Sequence, residues 1–313
     1  MNSLTLTEPA RWRDDAALRA AAGGAAAQTP TALCTVTRID GSFSRRTGAQ
    51  LAIRGDGSFA GDLADGCLEA ALATDAARLA TADTPRAVLR YGTGSPNIDF
   101  RLPCGGGLDV LVDAAPDRAL LAQAVQALDR REPAALAWPL DGSAMTMGDA
   151  GKPSGTDGAQ FNRRYAPPLR LLLLGAGPEM DAAEQLGGAM GLPVESHRPQ
   201  GSQGGSLALG RAPQDIAVDP WTAVLLLFHD HEWERDLIPW ALGTQACFIG
   251  AQGGAQARAA RGAMLEQLGF GADAVARVHS PVGLIAHARD PMVLALSALS
   301  QIVAVYEGFA HED

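Results

Sequence analysis

In the first half of the chain, the spacing of apolar residues is typical of strands in some segments and of helices in others. The runs TALCTVTRID, AQLAIRGDG, RAVLRYG and GLDVLVDAA are short and aliphatic, which predicts strands. The alanine- and leucine-rich runs TEPARWRDDAALRAAAGG, EAALATDAARLATAD and DRALLAQAVQALDRRE predict helices, the first capped by Thr7 and ended by Gly23. We therefore expect a mixed α+β domain over residues 1–142.

The second half has a different pattern. LRLLLLGAGPEMDAAEQLGG begins with a continuous apolar run, which suits a strand buried on both faces, and then turns through glycines into a helix. TAVLLLFHD and ACFIG follow as strands, each with a helical segment after it. This alternation predicts an α/β fold over residues 168–313, a Rossmann-like doubly wound parallel sheet. The intervening residues 143–167 are rich in Gly, Ser, Pro and Asp, which predicts a linker or a surface excursion.

Composition limits the class of protein. The chain has 313 residues, of which 47% are hydrophobic and 19% charged, as expected for a globular protein. A net charge of -10 argues against non-specific nucleic-acid binding. We see no signal peptide, and no apolar run that approaches the roughly 20 residues of a membrane span. The sequence therefore predicts a cytoplasmic protein with free thiols and no membrane contact.

Two of the four cysteines stand out from the others. Cys67 falls at the predicted first turn of a helix, where the positive end of the helix dipole favours a thiolate, although Asp65 and Glu69 oppose this. Glu69 could cap backbone N–H groups or act as an acid or base. Cys104 precedes three glycines, whose amides could face an anion. The structural alternative for each is a small buried residue, and we expect it for Cys34 and Cys247, which lie in apolar strands.

Other candidate groups lie in loops. Arg45 and Arg46 could bind a phosphate or carboxylate, or serve solubility alone. Gly175 and Gly177 form a glycine turn before a helix, where a phosphate could approach, and Glu195 could bind a ribose. Because Pro178 and Met180 depart from the dinucleotide fingerprint, the turn counts against NAD.

His229, Asp230 and His231 follow a buried strand, at a position where open α/β sheets bind ligands. The two imidazoles could bind metal or transfer protons, but Asp230 should point away from both, so the triplet alone is an improbable metal site. His279 begins the segment HSPVGL, which suggests a rigid loop.

In chain order, TVTRIDGSFSRRTGAQLAI, GDGSFAGDLADGCLEAAL, CGGGLDVLVD, LLLGAG, FHDH and VHSPVGLIAHARDPMVLALSALSQIVA resemble the XdhC/CoxI family. These are accessory proteins of molybdenum hydroxylases such as xanthine dehydrogenase. The resemblance implies that the chain is a chaperone that binds and protects molybdenum cofactor and inserts it into an apo molybdenum hydroxylase. It also implies sulfuration of the cofactor with a cysteine desulfurase, and a homodimer. The cofactor would be molybdopterin or its cytosine dinucleotide form.

The resemblance also assigns residues. Its motifs match Gly66, Cys67 and Glu69, then Cys104, Gly105 and Gly106, then Arg45 as the loop arginine, and Pro281, Gly283 and Leu284. Cys67 and Cys104 would then be soft thiolate ligands for molybdenum or its dithiolene, which suits a sulfur-rich metal centre. Glycine amides and Arg45 would hold the cofactor's phosphate. We expect the rest of the cofactor site to come from Gly175, Gly177, His229, His231 and Gly283.

The chain departs from the family pattern at several places, which include Pro178 and Met180 in the glycine turn. Family members usually have Gly-x-x-Gly-Gly-Cys, whereas Asp62 and Asp65 interrupt that run here. Two other function classes therefore stay open. One is an NAD(P)-dependent oxidoreductase with a degenerate Rossmann site, using His229 or His279 as acid or base. The other is an interaction scaffold that binds no small ligand.

Overall fold

The chain divides into two compact units, Met1–Pro167 and Pro168–Glu312. The structure is a computed structural model that describes residues 13–23, 31–64, 66–96, 105–202 and 205–310. Thr7, Asp65 and Cys104 lie outside these residues, so the predictions that name them have no structural counterpart.

The first unit contains two sheets and three helices among its described residues. Its helices are α1 (Ala16–Ala22), α2 (Cys67–Leu79) and α3 (Arg118–Asp129). Its strands are β1 (Thr31–Asp40), β2 (Gln50–Arg54), β3 (Phe59–Gly61), β4 (Arg86–Gly92), β5 (Gly107–Asp113), β6 (Ala134–Pro139), β7 (Thr146–Met147), β8 (Gly155–Asp157) and β9 (Gln160–Tyr165). Most of the predicted elements of this half are therefore present, although α1 begins only at Ala16.

The first sheet has the order β3-β2-β1-β5-β4, with every neighbouring pair antiparallel. Alternate side chains supply two cores, as the strand period of two requires. Cys34 and Val36 of β1 face the core that α2 covers with Leu68 and Leu72. Leu33, which directly precedes Cys34 and therefore points to the opposite face, lies in a second core built with α1, α3 and the second sheet.

The predicted linker is wrong. Residues 143–167 carry β7, β8 and β9, which pair with β6 in a second sheet of order β7-β6-β9-β8. The segment looked like a linker because its strands are polar. Asn162 and Arg163 of β9 are buried, and their polar groups bond to Asp149, Pro153 and Asp14. Buried polar side chains with partners can occupy a core.

The second unit is a parallel α/β sheet. Its strands are β10 (Arg170–Gly175), β11 (Val194–His197), β12 (Thr222–Leu227), β13 (Phe248–Ala251) and β14 (Val278–His279), in the order β11-β10-β12-β13-β14. Its helices are α4 (Pro178–Ala189), α5 (Glu234–Leu242), α6 (Ala255–Gln267), α7 (Ala272–Ala276) and α8 (Pro291–Ala310). Leucines of β10 and β12 are fully buried, so the Rossmann-like doubly wound prediction is confirmed.

The last helix, α8, corrects the expectation that no segment has the length and apolarity of a membrane span. It has 20 residues and a mean hydropathy of 1.6, which pass that test by length and composition. A core helix passes it too, and α8 packs against α4 and β13. Ala295, Ala298, Leu299 and Ile302 are buried at helical spacing, so one face of α8 is part of the core of this unit.

Candidate functional site

The antiparallel first sheet collects several sequence motifs at one end. β1, β3 and β4 end there, and β2 and β5 begin there, because neighbouring strands alternate in direction. This end, called the Cys67 end below, is formed by residues 41–49, 62–64, 66, 93–96 and 105–106. The Arg45 loop, the start of α2 and Gly105 therefore lie at the same end of the sheet.

Glu69 organises the turn that leads into α2. Its side chain is buried, and its carboxylate accepts backbone N–H bonds from Leu63 at 3.2 Å, Ala64 at 2.5 Å and Gly66 at 2.9 Å. The bond from Gly66 caps the start of α2, and the bonds from Leu63 and Ala64 hold the segment that precedes it. Of the two roles considered from sequence, capping is therefore the one seen here. Glu69 as a direct cofactor contact stays a prediction.

The turn places Cys67 as the first residue of α2, with its side chain exposed. Gly66 before it has φ = 100°, a conformation that favours glycine, and a Cβ there would meet no atom within 4 Å. The space beside the thiol is therefore open at Gly66. Among the described cysteines, Cys34 is fully buried in β1 and Cys247 is partly buried beside Thr222. Burial raises the pKa of the Cys34 thiol, which suits a core residue.

The glycines after Cys104 pack against the chain that leaves β1. A Cβ on Gly106 would come within 2.7 Å of the Asp40 carbonyl oxygen and 3.1 Å of the Ser42 oxygen. Gly105 has φ = 69° and open space around it. The close approach requires glycine at position 106 for packing, whereas Gly105 leaves room for a ligand. Their assignment to the cofactor, like that of Cys104, stays a prediction.

Arg45 links its loop to the turn before α2. Its guanidinium donates to the Asp62 backbone oxygen at 3.0 Å and to the Asp62 carboxylate at 2.9 Å. Arg46 donates to Asp14 at 2.9 Å. The departure from the family pattern at Asp62 thus has a structural role, since it provides the partner of Arg45. Both arginines also line a cavity of about 480 Å³.

In the second unit, a carboxylate lies beside the glycine turn. A Cβ on Gly175 would come within 2.3 Å of the Leu227 oxygen, so this glycine permits close packing of β10 and β12. Gly177 has φ = 95°, and the carboxylate of Glu179 lies 3.5 Å from the point its Cβ would occupy. A mostly buried carboxylate there opposes an incoming phosphate. This geometry argues against a dinucleotide at the turn.

The two candidate histidines have separate acidic partners. His229 Nε2 lies 3.3 Å from Glu179, and His231 Nδ1 lies 2.9 Å from Glu234. Asp230 caps the short 3₁₀ helix His231–Trp233 through the Glu232 N–H. Across the described ranges, no three His, Cys, Asp or Glu side chains group in a way that could hold a metal ion. A role for His229 and His231 toward the cofactor stays a prediction.

Glu195, the candidate ribose-binding acid, lies within β11 opposite Leu172 rather than at the end of the strand. Its carboxylate contacts His197 at 2.9 Å and Arg170 at 3.6 Å. The position therefore does not match that of a ribose acid, which follows its strand.

The HSPVGL loop is held by α8. Gly283 has φ = 111°, and a Cβ on it would come within 2.3 Å of Ser297 Oγ. Its N–H donates to the Gln301 side chain at 2.6 Å. His279 stacks on Phe248 with 4.2 Å between ring centroids, and burial lowers its pKa. Glycine at position 283 is thus required for packing, and its contact with a cofactor stays a prediction.

Sequence reasoning missed Arg13, Asp14 and Gln50, which line the same cavity as Arg45 and Arg46, and it noted Asp62 only as a departure from the family pattern. The runs RWRDD and SRRTG carry complementary charges, which was the one available signal that two segments meet. Pairing them requires the three-dimensional fold, because Arg46 and Asp14 are 32 residues apart in the sequence.

Comparison with known proteins adds independent findings. Residues 25–92 match the XdhC and CoxI family, and residues 171–302 match the XdhC Rossmann domain. The chain is 30% identical over 273 residues to the molybdenum cofactor insertion chaperone PaoD of Escherichia coli, covering 87% of this chain and 82% of that protein. A Bacillus halodurans protein described as a xanthine dehydrogenase has the same fold, with a TM-score of 0.69 at 20% identity over 93% of this chain and 95% of its own.

Proposed function

The chain belongs to the XdhC and CoxI family, and on that basis we propose that it is a chaperone that carries molybdenum cofactor as cargo to a molybdenum hydroxylase. The Cys67 end of the first sheet is the proposed binding site. The observation that carries this assignment is the exposed Cys67 thiol on a turn that Glu69 holds through three backbone bonds.

Cys67 has the chemistry that the cargo requires. A thiolate is a soft ligand, and the molybdenum of the cofactor is bound by the soft sulfurs of its dithiolene. Because the thiol is exposed, contact with the cargo would need no rearrangement of the core. The turn is fixed before the cargo arrives, which lowers the entropy cost of binding. Binding and release are sufficient for this function, and it needs no chemical turnover.

Three other groups of residues belong to the proposal. Cys104 would provide a second soft ligand, and Gly105, the next residue in the sequence, has open space around it. Arg45 would hold the phosphate of the cofactor. His229 and His231 would contribute less than Cys67, because both rings already contact carboxylates that are largely buried.

The finer points of the function rest on family membership. We propose that the cofactor is delivered in the cytoplasm to an apo hydroxylase, and that a cysteine desulfurase supplies sulfur to it. We propose that the chaperone acts as a homodimer. The molybdopterin and cytosine dinucleotide forms of the cofactor both fit the proposal, and a comparison of their affinities for the purified chaperone would separate them.

A titration of purified protein with molybdenum cofactor tests the function. The wild type is expected to retain molybdenum after dialysis, and Cys67→Ala is expected to lose at least tenfold in affinity. Cys247→Ala is the matched control, because this second-unit thiol already bonds to the Thr222 oxygen at 3.3 Å. Equal retention by the wild type and Cys67→Ala would reject the ligand role of Cys67. Absence of binding to the wild type would reject the function itself.

A further inference from the structure

The cavity beside the Cys67 end is rich in arginine. Its volume of about 480 Å³ lies within the range of about 300–1,000 Å³ that is usual for small-molecule sites. Three guanidinium groups and two carboxylates line it, from Arg13, Arg45, Arg46, Asp14 and Asp62. The lining is thus net positive in a chain whose net charge is -10. Such a concentration of positive charge in an acidic protein favours an anion over a cation.

The carboxylates already in the cavity do not prevent anion binding. Arg45–Asp62 and Arg46–Asp14 are partly exposed pairs, with 28% to 41% of each side chain accessible. Exposed ion pairs contribute about 0–1 kcal/mol, so an anion with more than one charge can compete for the guanidinium groups. Asp14 retains a second partner if Arg46 turns away, because Arg163 donates to it at 2.6 Å.

Arg13 is held in place by its own acid. Its Nε and one terminal nitrogen donate to the two oxygens of Asp15 at 2.9 and 3.0 Å. Asp15 is buried and also accepts from Arg19 at 2.6 Å. Arg13 is therefore positioned at the cavity wall by a fixed carboxylate. A pre-positioned guanidinium loses little side-chain entropy when it binds an anion.

We propose that this cavity is a phosphoryl-anion site in which Arg13, Arg45 and Arg46 bind the anion. Guanidinium groups pair with phosphoryl oxygens through two parallel N–H bonds, which suits three arginines around one dianion. The assignment of the site to the phosphate of the cargo rests on the function proposed above, whereas anion binding itself does not.

The position of the cavity fits a cargo with two ends. Asp62 lines the cavity and begins the turn that leads to Cys67. The chain from Asp62 to Cys67 spans at most about 17 Å even if fully extended. One organic phosphate could then lie with its phosphoryl group among the arginines and its sulfur-bound metal near the thiol.

Calorimetric titration with inorganic phosphate and inorganic diphosphate, at fixed ionic strength, tests the anion site. Diphosphate is expected to bind the wild type, and Arg46→Gln is expected to weaken its binding roughly tenfold, the effect of one lost charged hydrogen bond. Asp62→Asn should strengthen binding several-fold, because it removes the competitor for Arg45. Arg130→Gln is the control and should leave binding unchanged, because Arg130 directly follows α3, is exposed and pairs with Glu132.

Absence of binding to the wild type, or equal affinity in Arg46→Gln, would overturn the anion site. If Arg46→Gln fails to fold, Asp62→Asn decides the question, and affinity equal to or below that of the wild type overturns the site. Diphosphate binding by a protein that never retains the cofactor would overturn only the proposed function. Full cofactor affinity in a folded Arg46→Gln would overturn only the assignment of the cavity to the cargo's phosphate.

Discussion

The two units differ in what their polar side chains contact. At the Cys67 end of the first sheet, the Cys67 thiol is exposed, and three arginines line a cavity that Asp62 of the same end also lines. At the carboxyl end of the parallel sheet, acids bond to neighbouring bases, as in His229–Glu179 and Arg261–Glu234. The second unit has the better-known sequence fingerprint, but its candidate histidines pair with buried carboxylates, whereas Arg45 and Arg46 of the first unit pair with partly exposed ones. A glycine fingerprint identifies a fold, whereas a binding site also needs side chains that a ligand can reach.

The largest effect is expected in the second unit, on stability, when a buried ion pair is broken. Arg261 and Glu234 are 2% and 3% exposed and 2.6 Å apart, so Arg261→Met would leave a buried carboxylate whose main charged partner is lost. We expect this to lower the free energy of unfolding of the unit by about 3–5 kcal/mol. Chemical denaturation measures it. Arg258→Met, an exposed change on the same helix, is the control and should have an effect within about 0.5 kcal/mol. A loss below about 1 kcal/mol for Arg261→Met would show that the cluster is not structural.

In the first unit, Glu69→Gln tests whether the turn before Cys67 is fixed. The amide has one acceptor oxygen and presents donors to backbone N–H groups, so we expect a loss of about 1–3 kcal/mol in unfolding free energy. Asp83→Asn, an exposed change just after α2, is the control in the same denaturation experiment. Stability equal to that of the wild type would mean that Glu69 does not hold the turn.

Local structure was largely predictable from the sequence. β1 spans the residues of the predicted run TALCTVTRID, and α2 begins at Cys67, as the glycine before it and the alanine-rich run after it suggested. Those features depend on local periodicity and turn chemistry. β9 was missed because Asn162 and Arg163 are buried against distant polar partners, and no periodicity rule detects such a strand.

The candidate site was predictable only in part. The motifs around Cys67, Arg45 and Gly105 were found, and the antiparallel topology brings them to one end of the sheet. The cavity was not, because Arg13 and Asp14 come from a segment that the sequence indicated only as a helix. In the second unit, the sequence showed the residues but not their contacts. Its histidines and acids were visible in the sequence, but their mutual pairing was not.

A smaller effect concerns the pH dependence of the second unit. Burial lowers the pKa of His279 below its ordinary value of 6.5. Stability from the neutral ring is therefore fully present above about pH 6.5 and is lost as the pH falls through the lower folded value. We expect denaturation midpoints to fall modestly between pH 7 and pH 5, and His279→Phe, which can keep the stacking on Phe248, to reduce that fall. His287→Asn, at an exposed position, should leave it unchanged. An equal fall in His279→Phe would assign the pH dependence elsewhere.

The central claim is that the first unit, through Cys67, binds the cofactor. Molybdenum analysis of protein co-expressed with the cofactor pathway tests it most directly, comparing Cys67→Ala with the double variant His229→Ala, His231→Ala. The account predicts that Cys67→Ala loses at least nine-tenths of the bound molybdenum, while the histidine variant keeps most of it. Full molybdenum content in Cys67→Ala, with loss in the histidine variant, would contradict the account.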